Sequence, residues 1–210
     1  MKCLPLTALL FLFLSCNEQE PKANKPVITN ASHKSDSGLA KKEITNPYAP
    51  TDLSPVDIAY FPVDYPVKKM TAPATKMPVA RVIYSRPHRQ GRTIFGSLLP
   101  YGEPWRLGAN EATEIEFFQP VIIQNKRVPK GRYVLYSIPQ QDEWTLVLNS
   151  NVFSWGLKQD TQKDLFRFKI PVQRTPTTIE YFTMVFEPTD SGATLLMAWD
   201  DVVARLPFSF

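Results

Sequence analysis

Leu165-Phe166-Arg167-Phe168-Lys169-Ile170-Pro171-Val172 sets apolar side chains at 166, 168 and 170 against cations at 167 and 169. A period of two puts successive side chains on opposite faces of an extended chain. This stretch therefore reads as a strand with one face in a core and one in water. The pattern recurs on both sides of it. Glu143–Asn149 sets Trp144, Leu146 and Leu148 against Thr145 and Val147. Val79–Ser85, Thr113–Phe118 and Gly131–Ile138 come before; Ile179–Phe186, Ala193–Trp199 and Val202–Phe210 come after. Turns are offered by Pro129-Lys130-Gly131, Asp190-Ser191-Gly192 and Asp200-Asp201. The chain holds 20 Pro but only 8 Gly, which argues against long helices and for strands joined by turns. Only Asn151–Lys163 has room for a short helix, and Gly156 weakens it. The expected fold is all-β, an antiparallel β-sandwich or barrel of about eight or nine strands.

Upstream of this 79–210 domain the pattern fades. Residues 53–78 mix Tyr60, Phe61 and Tyr65 with prolines. A solvated linker has little use for those aromatics, so the segment reads as an extended strap lying on the domain. Residues 17–52 are rich in Pro, Lys, Asn, Ser and Thr and lack apolar periodicity. Such a tether cannot bury enough apolar surface to offset its ordering entropy. Residues 1–16 read as a leader, with Lys2 as the positive start and Leu4–Leu14 as the apolar run. The run is too short to span a bilayer. Its end, Phe13-Leu14-Ser15-Cys16, resembles a bacterial lipobox, with Cys16 the thiol to be acylated. The only other cysteine, Cys3, would leave with the leader, so no disulfide, Cys nucleophile or Cys metal site is expected in the mature chain. Two or three acyl chains make a stable anchor. The expected address is the cell envelope, lipid-anchored to the outer membrane on its periplasmic face or at the cell surface.

Composition removes several function classes. The chain has 210 residues, a formal net charge of +4, 43 % hydrophobic and 21 % charged residues, which excludes collagen-like and wholly disordered chains. Residues 79–210 carry 15 basic and 13 acidic side chains. That balance, and an envelope address, argue against nucleic acid as partner. Phosphate loops and dinucleotide fingerprints are absent, so no cofactor is expected. His33 and His88 are the two histidines, too few and too far apart for a zinc site. His88 and Ser85 lack the setting of a catalytic serine, and no Gly-x-Ser-x-Gly elbow is present.

The segment Arg81–Arg106 carries five arginines (81, 86, 89, 92, 106) against one acid, Glu103. Guanidinium groups grip carboxylate or phosphate with two parallel hydrogen bonds and stack on aromatic faces. Arg86, Arg92, Tyr101, Trp105, Arg106, Asn110 and Glu111 are the candidate ligand-binding residues. The same residues also suit a stacked cluster that holds the fold together, with Arg86 and Arg106 paired to Glu111, Glu114 or backbone carbonyls.

Tyr84-Ser85-Arg86-Pro87, Gly91-Arg92, Phe95-Gly96, Tyr101-Gly102, Trp105-Arg106 and Gly108-Ala109-Asn110-Glu111-Ala112-Thr113 together resemble the signature of the DUF2911 family. The resemblance continues through Pro129-Lys130-Gly131-Arg132-Tyr133, Trp144, Trp155-Gly156 and Trp199, and covers Leu53 to Phe210. It implies a β-rich domain in a bacterial protein, mainly of Bacteroidota, that is commonly secreted or lipid-anchored. It brings neither an established activity nor catalytic residues.

Three readings of function follow. In the first, the Arg-rich segment forms a non-catalytic pocket for an anionic glycan, peptide or peptidoglycan fragment. The second is a hydrolase of envelope glycans or esters, which needs Glu111 or His88 in a cleft within reach of a nucleophile or water. The third is a structural or protein-interaction domain with no small ligand.

Overall fold

Nine strands form, in chain order β1 (Val56–Phe61), β2 (Ala80–Ser85), β3 (Glu114–Phe117), β4 (Val121–Ile123), β5 (Lys126–Val128), β6 (Gly131–Pro139), β7 (Glu143–Asn149), β8 (Asp164–Thr189) and β9 (Gly192–Ser209). One helix, α1 (Tyr65–Thr71), and a single 3₁₀ turn, Thr161–Lys163, complete the elements. The computed structural model describes residues 52–72 and 75–210, all of them inside the compact unit Asn46–Phe210. Cys16, the leader and the tether up to Thr51 lie outside the described residues. Among those described, no helix is long and apolar enough to cross a membrane.

The strands make one antiparallel sheet in the order β1-β2-β3-β6-β7-β8-β9-β4-β5, which is not closed. The all-β expectation holds. The decisive stretch behaves as its alternation requires: Phe168 and Ile170 are buried, and Arg167 and Lys169 are exposed.

The departures have identifiable causes. The paired expectations 165–172 and 179–186 are one 26-residue strand, and 193–199 and 202–210 are one 18-residue strand. The turn expected at Asp200-Asp201 is instead a bend inside β9. Asp200 takes φ 56°, and the β8–β9 register shifts between Arg174 and Ile179 and again between Ile179 and Thr183. Extra residues on one strand bend it without ending the pairing. The Asp200 carboxylate is held at the bend by Arg89 Nε at 2.7 Å and the Ile94 amide at 3.2 Å. The bend lets β9 return on itself, so that Gly192 at its start meets the Phe208 and Ser209 backbone at its end.

The strap is not simply extended. Residues 56–61 pair with β2 along their whole length, and α1 follows with Pro66 in its first turn, where the missing N–H costs nothing. The β4–β5 hairpin was not anticipated from sequence. Its turn residues Gln124 and Asn125 both have positive φ (47° and 62°), but Gln-Asn is a weak turn signal beside Asn-Gly. Residues 151–163 hold only the 3₁₀ turn.

The core lies between the folded-over halves of the sheet. At one end Phe61, Phe117, Phe186 and Phe208 meet edge to face. At the other, Trp105 packs against Phe95, Trp144, Phe182 and Trp199. Tyr84 joins the layers, its hydroxyl donating to the Met184 carbonyl (3.1 Å) and accepting from the Met184 amide (2.9 Å). Tyr136 donates to the Asp164 carboxylate at 2.9 Å.

Burial raises the pKa of both phenols, and for Tyr136 the Asp164 hydrogen bond and charge raise it further. Unfolded tyrosine titrates near 10. The neutral phenols are thus favoured by folding, and their contribution is complete below about pH 10 and lost as pH rises through the higher folded-state values. The melting temperature is expected to fall above about pH 10 and to fall less steeply in Tyr136→Phe. An equally steep alkaline limb in that variant would refute the assignment.

Candidate functional site

The connection from β2 to β3 carries all seven candidate residues, and its shape follows from how it is pinned. Trp105 exchanges two backbone hydrogen bonds with Ser137 on β6, at 2.7 and 2.8 Å. The Arg89 amide donates to the Glu180 carbonyl at 2.7 Å. Between these anchors and β3 the chain reverses tightly, with Leu107 at φ 54° and Asn110 at φ 58°. Thr113 Oγ1 closes that turn by donating to the Leu107 carbonyl at 2.6 Å. Gly108 sits where a Cβ would come within 3.0 Å of the Ser85 carbonyl oxygen, so the turn lies flat on β2.

This loop and the 150–160 loop enclose a groove of about 340 Å³. Arg92 and Arg106 provide its charge. Pro87, Leu98, Leu99, Pro104 and Leu157 form apolar walls, Trp105 and Trp199 lie at the floor, and Ser54, Gly108, Ala109 and Gly156 complete it. Gly156 is required by contact, since a Cβ there would be 3.0 Å from both the Arg106 and Ala112 Cβ atoms.

Three of the seven candidates therefore come together: Arg92, Trp105 and Arg106. Trp105 is only 5 % exposed and its indole N–H donates to the Gly108 carbonyl at 3.2 Å, so it serves as floor rather than as an open stacking surface. Arg92 is oriented by donating from Nε to the Arg89 carbonyl at 2.9 Å and from Nη2 to the His88 carbonyl.

The remaining four serve elsewhere. Arg86 spans from β2 to β8, pairing with Asp57 at 3.1 Å and donating to the Phe182 carbonyl and Thr183 hydroxyl at 3.4 Å. It borders a separate groove of about 290 Å³ between β1 and β8. Tyr101 lies on Gly96, and its hydroxyl accepts from Arg174 Nη2 at 3.4 Å. Asn110 donates to Asp52 Oδ2 at 2.6 Å and to the Ser54 carbonyl at 3.4 Å, and so fixes the segment that brings Ser54 to the groove. Glu111 is exposed and reaches Arg106 only through its charge.

Arg106 differs from every other buried or half-buried arginine described. Arg81 pairs with Glu116, Arg86 with Asp57, and Arg89 with Asp200 and Glu180. Arg106 makes no ion pair or side-chain hydrogen bond among the described residues, and its Nη1 is buried without a partner. Burial pulls its pKa below the usual arginine value, and the charge of Glu111 only partly restores it. A partly buried guanidinium with an unpaired nitrogen is a cost to the fold. Its charge is delocalised over the planar group, so an anion on any open edge relieves the whole.

His88 is held away from this groove. His88 Nε2 lies 3.1 Å from Glu180 Oε2, its ring stacks on Tyr181 at 4.4 Å, and it does not line the groove. Glu111 does not line it either. Among the described residues no three His, Cys, Asp or Glu side chains cluster as metal ligands would.

Sequence reasoning missed the apolar walls, because Pro87, Leu98, Leu99 and Pro104 carry no chemical signature of their own. It also missed the contribution of Gly156 and Leu157 from a loop distant in sequence. The family signature's Trp155-Gly156 was the one available hint.

A family model described as "Protein of unknown function (DUF2911)" matches residues 66–208, which takes in every residue lining the groove except Ser54 and all of the sheet except β1 and the end of β9. No curated protein and no solved structure matches the chain.

Proposed function

We propose, from the premise that the chain belongs to the DUF2911 family, that it is a non-catalytic binding module that takes an anionic ligand in the Arg92–Arg106 groove. The observation that carries this reading is the unpaired, partly buried guanidinium of Arg106 in the wall of an open groove. Each of the other partly buried arginines pairs with a carboxylate, although Arg81 also leaves its Nε without a partner, whereas Arg106 pairs with none. We further propose that Cys16 carries a lipid anchor and that the domain works at the cell envelope, on the strength of the lipobox-like end of the leader. The hydrolase reading has no observation of its own, since His88 and Glu111 lie outside the groove.

The test pairs binding with stability in Arg106→Met. Methionine keeps much of the apolar stem but removes a partly buried charge that lacks an ion-pair partner. The variant is expected to melt at or above the parent temperature, and to lose the thermal shift the parent shows with an anionic ligand. A ligand at about 100 times its dissociation constant stabilises by roughly 2.7 kcal/mol, well within the reach of calorimetry. A variant that unfolds would show that Arg106 holds the fold, and a variant that still binds would remove the groove as the site.

A further inference from the structure

Resting on the anion-site reading above, we propose that the groove takes a single-chain carboxylate amphiphile: one monoanionic head on an unbranched apolar body, and not a glycan. The two arginines select the head. Arg92 already turns Nε and Nη2 to the Arg89 and His88 carbonyls, which leaves the unpaired Arg106 guanidinium as the principal seat for one anionic group.

The walls select the body. Apart from the two arginines, Ser54 is the only polar side chain lining the groove. A sugar hydroxyl turned toward Leu98, Leu99, Pro104 or Leu157 would find no side-chain partner there, a cost in every such contact. An alkyl chain has no such cost. The loop that carries Leu157 is itself rich in exposed apolar side chains. Leu157 is 73 % exposed, and its loop carries Trp155 at 56 % and Phe153 at 96 %. Three large apolar side chains on one short loop form an unusual solvent-facing surface.

The test is calorimetric titration of the purified full chain with straight-chain carboxylates from hexanoate to dodecanoate, each kept below its micelle-forming concentration. Glucuronate, the matching alkyl alcohols, and vesicles of zwitterionic lipid with and without anionic lipid serve as the comparison arms. Affinity is expected to rise about fourfold per added methylene, the equivalent of about 0.8 kcal/mol, until the groove is filled. Arg106→Met should remove most of the preference for carboxylate over alcohol and leave the dependence on chain length. Leu98→Ser with Leu157→Ser should flatten that dependence and leave the preference for carboxylate.

Equal binding of glucuronate and all carboxylates, without dependence on length, would overturn the amphiphile and leave the anion site standing. No binding of any anion would overturn both. Binding only to anionic vesicles, and not to monomeric acids, would overturn the single-chain ligand in favour of a membrane surface.

Discussion

Trp105→Ala is expected to cost about 3–5 kcal/mol of stability, enough to leave a domain of ordinary stability marginally folded. Trp105 belongs to a loop by secondary structure but to the core by packing. Its ring meets Phe95, Trp144, Phe182 and Trp199 at centroid distances of 4.9–5.9 Å. Truncation leaves a cavity that four rigid aromatic neighbours, anchored on separate strands and a loop, cannot close together. It also strands the Gly108 carbonyl that the indole N–H now satisfies. Since the Arg106–Gly108 turn hangs from this anchor, the groove should loosen as well. Urea unfolding measures the loss directly. Trp105→Phe, which keeps most of the ring, should lose clearly less. A loss below about 1 kcal/mol for the alanine variant would mean that the loop is not part of the core.

Gly192→Ala is the second large effect, and its mechanism is different. A Cβ at 192 would lie 2.1 Å from the Phe208 carbonyl oxygen and 2.7 Å from Ser209 Cα. Both obstacles are backbone, so no rotamer change relieves them. Overpacking of a filled site costs typically 1–3 kcal/mol, and this one forces the two ends of β9 apart. The single bridge from β9 to β4, Ile122 with Ser209, should open first. Hydrogen exchange at those amides, together with the melting temperature, is the measurement. Gly91→Ala is the control: it has positive φ (70°) but nothing within 4 Å of the added Cβ, so it bears only backbone strain. An alanine variant at 192 as stable as the parent would refute the inward coil of β9.

The extent to which this fold was legible in sequence depended on the range of the deciding interaction. Glu143–Asn149 alternates in sequence and β7 has those same bounds, with Trp144, Leu146 and Leu148 buried as expected; Val147 on the opposite face is buried as well, which the alternation did not foretell. Where β8 and β9 bend was not legible. Asp200 reads as a turn residue until Arg89 and the Ile94 amide, about a hundred residues earlier, are seen to hold its carboxylate in place. The edge strand β1 was hidden by its neighbouring prolines, and only pairing with β2 reveals it as part of the sheet.

The site divides the same way. The sequence by itself determined the chemistry available: a domain with no cysteine and a single histidine, and with four arginines between β2 and β3. It could not determine which arginine is free. Arg86 and Arg106 have the same side chain, and it is Arg106 that has acids near it in sequence, Glu103 and Glu111, while Arg86 has none within ten residues. Only the tertiary structure decided that Asp57 on the edge strand reaches Arg86, while no carboxylate reaches Arg106. Pairing is a matter of a few ångströms between segments far apart in the chain, and local sequence carries no information about that distance.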